Sequence, residues 1–150
     1  MRTLILLAGI VALFSIGGRN VYACSCYVPS ASEIESMSDA EFSRRFLALD
    51  GATFIGRVVK KSRAMSSSGG SWKVTFEVER YWNGGSKRVT VYTATNGAVC
   101  GVDYKVGERH LVFASRHKGN LQSSLCAHLG ATQNKAALLK RLGRGEKPKA

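Results

Sequence analysis

The clearest pattern along the chain is an alternation of apolar and polar residues in the segment 72–79. Apolar side chains occupy every second position: Trp72, Val74, Phe76 and Val78. Polar side chains stand between them: Lys73, Thr75, Glu77 and Glu79. Because successive side chains of a β-strand point to opposite faces, this period of two predicts a strand with one buried face.

Further segments of strand character flank this one. They lie at residues 53–60, 89–93 and 110–114, with a shorter fifth candidate at residues 121–126. Turn signals separate them: a Ser/Gly loop at residues 66–71, Asn83-Gly84-Gly85, and Val106-Gly107-Glu108. Gly56 inside the first strand indicates a bulge or a close approach of two backbones.

Two segments have a helical period instead. Ser38 and Glu41 have the spacing of a capping box, and apolar residues then recur at helical spacing: Phe42, Phe46 and Leu49. Asp50-Gly51 should end this helix. Residues 133–142 form the second candidate, and the basic tail at residues 143–150 is expected to fray.

Five short strands with flanking helices predict a mainly β fold, a five-stranded closed barrel of the OB type. A two-sheet sandwich is the alternative, although it needs more strands than the pattern supplies. The domain should span residues 24–132, followed by a basic helix and tail at 133–150. Four large aromatic residues are expected to pack in the hydrophobic core: Trp72, Phe76, Trp82 and Phe113.

The N-terminus has the features of a secretory signal peptide. Arg2 precedes an apolar run at residues 4–16, which is too short for a comfortable membrane span. Val21-Tyr22-Ala23 then predicts cleavage before Cys24. A lipobox also ends in a small residue followed by Cys, so a lipid anchor on Cys24 is the competing interpretation. Both place the mature protein outside the cytoplasm, secreted or periplasmic.

The chain is strongly basic, with a net charge of +12 that falls to +10 when Arg2 and Arg19 leave with the signal. This surplus suits an acidic partner, such as an anionic envelope or matrix surface. Residues 135–149 are expected to be a solvated helix and tail, with a tether to such a surface as the alternative. Basic and aromatic residues do not interleave in a nucleic-acid-binding motif, so no nucleic acid is expected.

Four cysteines follow the predicted cleavage site: Cys24, Cys26, Cys100 and Cys126. An even number in an exported chain predicts two disulfides, and their spacing does not fit a zinc site. Of three possible connectivities, the one with a Cys24–Cys26 bridge closes too tight a loop. The other two remain open, and each ties the N-terminus to the later chain.

Candidate catalytic chemistry is sparse. His110 lies within a predicted strand and His117 and His128 in loop-like segments, and the three lack metal-ligand spacing. No nucleophile elbow, phosphate loop or carboxylate pair is present. We therefore expect neither an enzyme nor a resident cofactor.

One combination of features is more informative than any single motif. Cys24-Ser25-Cys26 is followed by a capped helix, by the strands TFIGRVV and WKVTFEVERYW, by Val99-Cys100-Gly101, and by a last Cys126. This order resembles the netrin-like module of the tissue inhibitors of metalloproteinases, over residues 24 to about 130. The resemblance implies the same OB-type fold, with bridges Cys24–Cys100 and Cys26–Cys126.

The resemblance also implies a function, inhibition of zinc metalloproteinases. Once the signal is removed, the amine nitrogen and carbonyl oxygen of Cys24 can chelate the partner's catalytic zinc, where water otherwise completes the coordination. Ser25 would then face the main specificity pocket of the protease. The rest of the implied contact surface is Cys26, Tyr27, Val28, Ala98, Val99, Gly101 and Val102.

Two other functions stay open. Netrin-like modules also serve as binding domains without inhibitory activity, and the basic surface would suit that role. An envelope lipoprotein acylated at Cys24 is the third possibility.

Overall fold

A computed structural model describes residues 24–47, 50–65 and 70–149 of the chain. Two helices come first, α1 at Ala31–Ser36 and α2 at Asp39–Phe46. The strands are β1 (Ala52–Ala64), β2 (Ser71–Asn83), β3 (Arg88–Ala94), β4 (Arg109–His117) and β5 (Asn120–Gln122). A 3-10 turn at Gly97–Val99 follows β3, and helices α3 (Leu125–Gln133) and α4 (Lys135–Leu142) follow β5. The described protein is therefore mainly β, with four α-helices.

The five strands form one sheet that closes on itself in the order β1-β2-β3-β5-β4. β1 is antiparallel to both β2 and β4, which joins the two ends of the ring. The short β5 is parallel to β3 and antiparallel to β4. The strands form a single ring and not two facing sheets, so the sandwich alternative was wrong.

The interior of the ring is the main hydrophobic core. The alternation in β2 is confirmed, because Val74, Phe76 and Val78 are buried while Lys73 and Glu77 are exposed. The ring of Phe76 packs edge-on against Phe54, with 5.4 Å between ring centroids, and against Tyr104 at 5.2 Å. Trp72 packs partly buried at the edge of this cluster.

Gly56 is the close-packing point that its position suggested. The register between β1 and β2 shifts between Ile55 and Gly56. A Cβ atom added at residue 56 would lie 2.9 Å from the carbonyl oxygen of Glu77, so a larger side chain would force the strands apart. Glycine therefore allows β1 to bend around the core.

A second hydrophobic cluster lies outside the ring, where the helices cover β1 and β4. Its buried members are Ile34, Phe42, Phe46, Ile55, Leu111, Ala131, Ala137 and Leu138. Phe113 and Trp82 pack partly buried against them. All four predicted core aromatics thus contact one of the two clusters.

The first helical region holds two helices where one was predicted. The hydroxyl of Ser38 accepts from the backbone N–H of Glu41 at the start of α2, as expected, whereas Leu49 lies outside the described residues. The additional helix α1 begins with a complete capping box between Ser30 and Glu33. The sequence signal for this helix is the same Ser-x-x-Glu spacing that predicts α2.

The prediction of a strand as far as Cys126 was wrong. β5 ends at Gln122, and Leu125–Gln133 is helical, with the Ser124 hydroxyl accepting from the Ala127 N–H at its start. The apolar run after Ser124 fits a helix as well as a strand, and its burial against β4 decides between them. Helix α4 consequently begins at Lys135 rather than at residue 133.

The expectation of a solvated helix and frayed tail was wrong for one face of the helix and for the backbone of the tail, although Lys140, Lys147 and Lys149 are exposed. Ala137 and Leu138 in α4 are buried in the second cluster. Beyond α4, Tyr81 and Glu146 exchange two backbone hydrogen bonds of 2.9 and 2.8 Å, and the Tyr81 hydroxyl donates to the Glu146 carboxylate. The tail therefore runs against the end of β2, because its backbone has hydrogen-bonding partners there.

Arg141 joins α4 to the two N-terminal helices. Its guanidinium donates to three carbonyl oxygens at the end of α1: Ile34, Glu35 and Met37. It also pairs with the Asp39 carboxylate at 2.9 Å. Only 18% of the Arg141 side chain is exposed. These hydrogen bonds therefore take the place of water around its charge and around the last carbonyl groups of α1.

We expect Arg141→Ala to lower the free energy of unfolding by about 2 kcal/mol, because several acceptors lose a charged donor. Urea denaturation of the oxidised protein would measure this. Lys140→Ala is the matched control. The Lys140 side chain, which forms an ion pair with Glu35, is 73% exposed, so the loss of this pair should lower the free energy of unfolding by less than about 0.5 kcal/mol. Equal losses from both variants would contradict the role assigned to Arg141.

Candidate functional site

The two disulfides connect the N-terminal segment to two separate parts of the fold. Cys24 is bonded to Cys100 beyond β3, and Cys26 is bonded to Cys126 in α3. This is the pairing that the family resemblance implied, and it uses all four cysteines. The bridges span 76 and 100 residues, so in the chain-entropy model each stabilises the fold by about 4–5 kcal/mol.

An exposed surface lies next to these bridges. Ser25 and Tyr27 alternate with the two bridged cysteines and point outward, and Ala98 and Val99 are exposed beside them on the 3-10 turn. Tyr27 is 65% exposed and Val99 is 56% exposed. We call these four side chains the N-terminal ridge.

Tyr27 is held in place although it is exposed. Its hydroxyl donates to the Glu33 carboxylate, and the Arg45 guanidinium lies over its ring, 5.1 Å from the centroid. The Tyr27 hydroxyl and the hydrogen bonds from Ser30 lower the pKa of Glu33 to about 2, so this carboxylate is ionised throughout the neutral range. The same carboxylate raises the pKa of Tyr27.

The turn that carries Ala98 and Val99 is equally fixed. The Asn96 side-chain oxygen accepts from the backbone N–H of both residues, and the Asn96 carbonyl accepts from Gly101. Cys100 adopts a left-handed conformation with φ of +63°, which is uncommon outside glycine and is held here by its bridge. The Cys100 carbonyl in turn accepts from Leu125 at the start of α3.

The remaining residues of the predicted contact surface lie behind the ridge. Cys24, Cys26 and Val28 are half-buried. Gly101 is buried, and a Cβ atom there would meet the Ala94 carbonyl. Val102 is only 3% exposed in the main core, where its N–H donates to Thr93. Gly101 and Val102 thus support the surface from within the fold, whereas a partner would reach the four exposed side chains and the accessible part of Cys24, Cys26 and Val28.

The predicted signal peptide and its cleavage before Cys24 concern residues 1–23, which lie outside the described part of the chain. No helix among the described residues is long and apolar enough to cross a membrane. The two disulfides are typical of proteins in oxidising compartments, outside the cell or in the periplasm.

The fold also brings together two histidines that spacing did not connect. His110 in β4 and His128 in α3 lie 5.5 Å apart between ring centroids, and both pack edge-on against Tyr104. The expectation that His117 and His128 lie in loops was wrong, because His117 is the last residue of β4 and His128 is in α3. In the described chain the His128 Nδ1 atom is buried without a hydrogen-bond partner, and no group of three potential metal ligands is present.

Burial lowers the pKa of both histidines. The nearby His110 lowers the pKa of His128 further, and Lys135 has the same effect on His110. The Glu108 carboxylate, 3.2 Å from His110 Nε2, opposes these effects only in part. The folded protein therefore favours neutral rings, whereas the unfolded chain takes up protons near the ordinary pKa of 6.5.

We expect the free energy of unfolding to be constant above about pH 6.5 and to fall as the pH drops below it, because the unfolded state then binds more protons. Urea denaturation as a function of pH would measure the slope. His128→Phe should flatten it, and His117→Phe, which removes an exposed histidine, should leave it unchanged. An identical slope in the wild type and His128→Phe would show that this pair does not set the acid sensitivity.

The chain was compared with protein-family models and with curated proteins. No family model matches the chain, and no curated protein matches it.

Proposed function

We propose that the protein is a secreted inhibitor of zinc metalloproteinases that acts through Cys24 as its processed N-terminus. The observation that carries this proposal is the pair of bridges, which fix residues 24–26 beside the exposed turn at 98–99. Such a rigid, surface-exposed chain end has the shape to enter a protease cleft.

The chemistry needs no metal in this chain. An unprotonated α-amine and the carbonyl oxygen of the same residue form a five-membered chelate on one zinc ion. A catalytic zinc has three protein ligands and an open position occupied by water, which the chelate would displace. Ser25 would then enter the adjacent specificity pocket, and its small side chain would limit which pockets it fits.

The geometry favours tight binding because little has to be ordered. Tyr27 is held by Glu33 and Arg45, and the 98–99 turn is held by Asn96 before any partner arrives. Side chains that are already immobilised lose less conformational entropy on binding. The four exposed side chains of the ridge are uncharged, so apolar and hydrogen-bonding contacts would dominate the interface.

We assign the closed ring to the OB type of barrel. One parallel pair, β3 with β5, in an otherwise antiparallel five-stranded ring supports this assignment, as do the strand order and small size. The netrin-like relationship remains part of the same proposal.

A lipoprotein anchored at Cys24 is less well supported. Acylation requires the thiol of Cys24, and its Sγ atom is bonded to Cys100. Mass spectrometry of the mature N-terminal peptide would distinguish a Cys24 that is bridged to Cys100 from one that is acylated.

Adding one alanine before Cys24 should abolish inhibition while the fold persists. The extension moves the free amine one residue away, so it no longer shares a chelate ring with the Cys24 carbonyl. The measurement is hydrolysis of a fluorogenic peptide by a panel of zinc metalloproteinases, with the processed chain and the extended chain compared.

Circular dichroism and a disulfide map would verify that both chains fold alike. Lys87→Ala, an exposed change away from the ridge, is the control that should inhibit as the wild type does. The proposal is wrong if the extended chain inhibits as strongly as the processed one, or if the processed chain inhibits no member of the panel.

A binding module for an anionic envelope or matrix surface is the second candidate, favoured by the net charge of +10 that remains without Arg2 and Arg19 and by the exposed Lys147 and Lys149 beside β2. Sedimentation with anionic vesicles or matrix polysaccharide should then decrease steeply with added salt, because exposed charges are screened. Lys147→Gln with Lys149→Gln should weaken it further. Salt-independent sedimentation would exclude this electrostatic role.

A further inference from the structure

An open cleft of about 890 Å³ lies beside the N-terminal ridge. One wall comes from the end of β3 and the turn after it, and another comes from β5 and the two residues that follow. Ser71 at the start of β2 contributes to the lining, and Val99 belongs both to the cleft and to the ridge. The cleft is thus built from three segments that are distant in sequence.

The lining is mixed: apolar side chains such as Ala64, Met65 and Val99 stand among polar ones, and the polar ones are uncharged. It presents hydroxyl and amide groups from Ser71, Tyr92, Thr95, Asn96, Asn120 and Gln122. None of the described residues that line it has a charged side chain, although 21% of the chain is charged. Because an anionic ligand would find no counter-charge here, the lining favours a neutral ligand that both donates and accepts hydrogen bonds.

The wall near the ridge is ordered by its own hydrogen bonds. The Asn96 Oδ1 atom accepts from the N–H of Ala98 at 3.0 Å, and the Thr95 carbonyl accepts from the Trp72 indole at 3.1 Å. Asn120 and Gln122 are exposed on the other wall, which leaves their amide groups accessible to a ligand. A preformed wall reduces the entropy lost on binding.

Tyr92 adds an aromatic surface to this lining. It stands opposite Gln122 in the parallel pairing of β3 with β5, and it is half-buried while Gln122 is exposed. An aromatic ring beside a primary amide suits a sugar, whose C–H face packs on the ring while its hydroxyls bond to the amide.

We infer that the cleft binds an uncharged oligosaccharide. A peptide strand would require a free sheet edge, whereas β3 is paired with β2 on one side and with β5 on the other. The inference concerns a second surface, so it does not depend on protease inhibition through Cys24.

The test is titration of the ¹⁵N-labelled oxidised chain with neutral hexasaccharides: cellohexaose, maltohexaose and chitohexaose. A heparin-derived hexasaccharide is the anionic comparison. At least one neutral sugar should shift the amide signals of Tyr92, Thr95 and Gln122, and its affinity should not change with salt. Gln122→Ala and Tyr92→Leu should weaken binding by about tenfold each, and Tyr92→Phe should retain it.

Gln133→Ala is the matched control for Gln122→Ala, since it removes an exposed glutamine side chain at the end of α3, outside the cleft and the ridge, and should leave sugar binding unchanged. The inference is overturned if no neutral hexasaccharide shifts the cleft signals. It is also overturned if only the heparin fragment binds, in a salt-dependent manner, or if binding is the same in Gln122→Ala and Tyr92→Leu as in the wild type.

Discussion

The covalent attachment of the first three described residues to the body of the fold is the constraint on which the candidate site depends. Residues 24–28 form no helix or strand, so the bridges are what fix this segment to the body of the fold. Cys24 is fixed to the turn after β3 and Cys26 to helix α3. Because these anchors sit on different elements, the segment between them can neither swing nor rotate freely. The exposed Ser25 and Tyr27 owe their defined positions to this double attachment.

The two anchors are stable because other interactions hold the elements that carry them. The Asn96 side chain caps the turn before Cys100. The carbonyl oxygen of Cys100 accepts a hydrogen bond from the N–H of Leu125, the first residue of α3, and this bond connects the two anchors directly. Helix α3 packs on β4, where His128 of the helix lies beside His110 of the strand and both rings contact Tyr104 of the ring interior. The element that carries the second bridge is therefore supported from the main core.

The sequence predicts the ring well and its surroundings poorly, for physical reasons that individual residues illustrate. In β2 apolar and polar residues alternate over positions 72–79, so the strand and its buried face, with Val74 and Phe76, follow from the pattern alone. The run after Ser124 is apolar at nearly every position, and only its packing against β4 makes it a helix. The basic composition of the tail predicted a solvated segment, whereas the backbone of Glu146 is hydrogen-bonded to that of Tyr81. The spacing of the cysteines left two pairings open, and only the family resemblance selected the observed one. The histidine pair and the cleft could not be predicted, because each depends on segments joined only by the fold.

Among the described residues, neither candidate binding surface has a charged side chain of its own, although Arg45 and Glu33 contact Tyr27 of the ridge. Several acidic side chains are engaged in ion pairs with basic ones, as Glu79 is with Arg109, Asp103 with Lys61, and Asp39 with Arg141. The remaining positive surplus is therefore spread over the outer surface, where it acts over a Debye length rather than through specific contacts. Such a surplus can concentrate the protein near an anionic matrix without occupying either surface. Long-range attraction and short-range recognition would then be independent, and salt should change the first without changing the second.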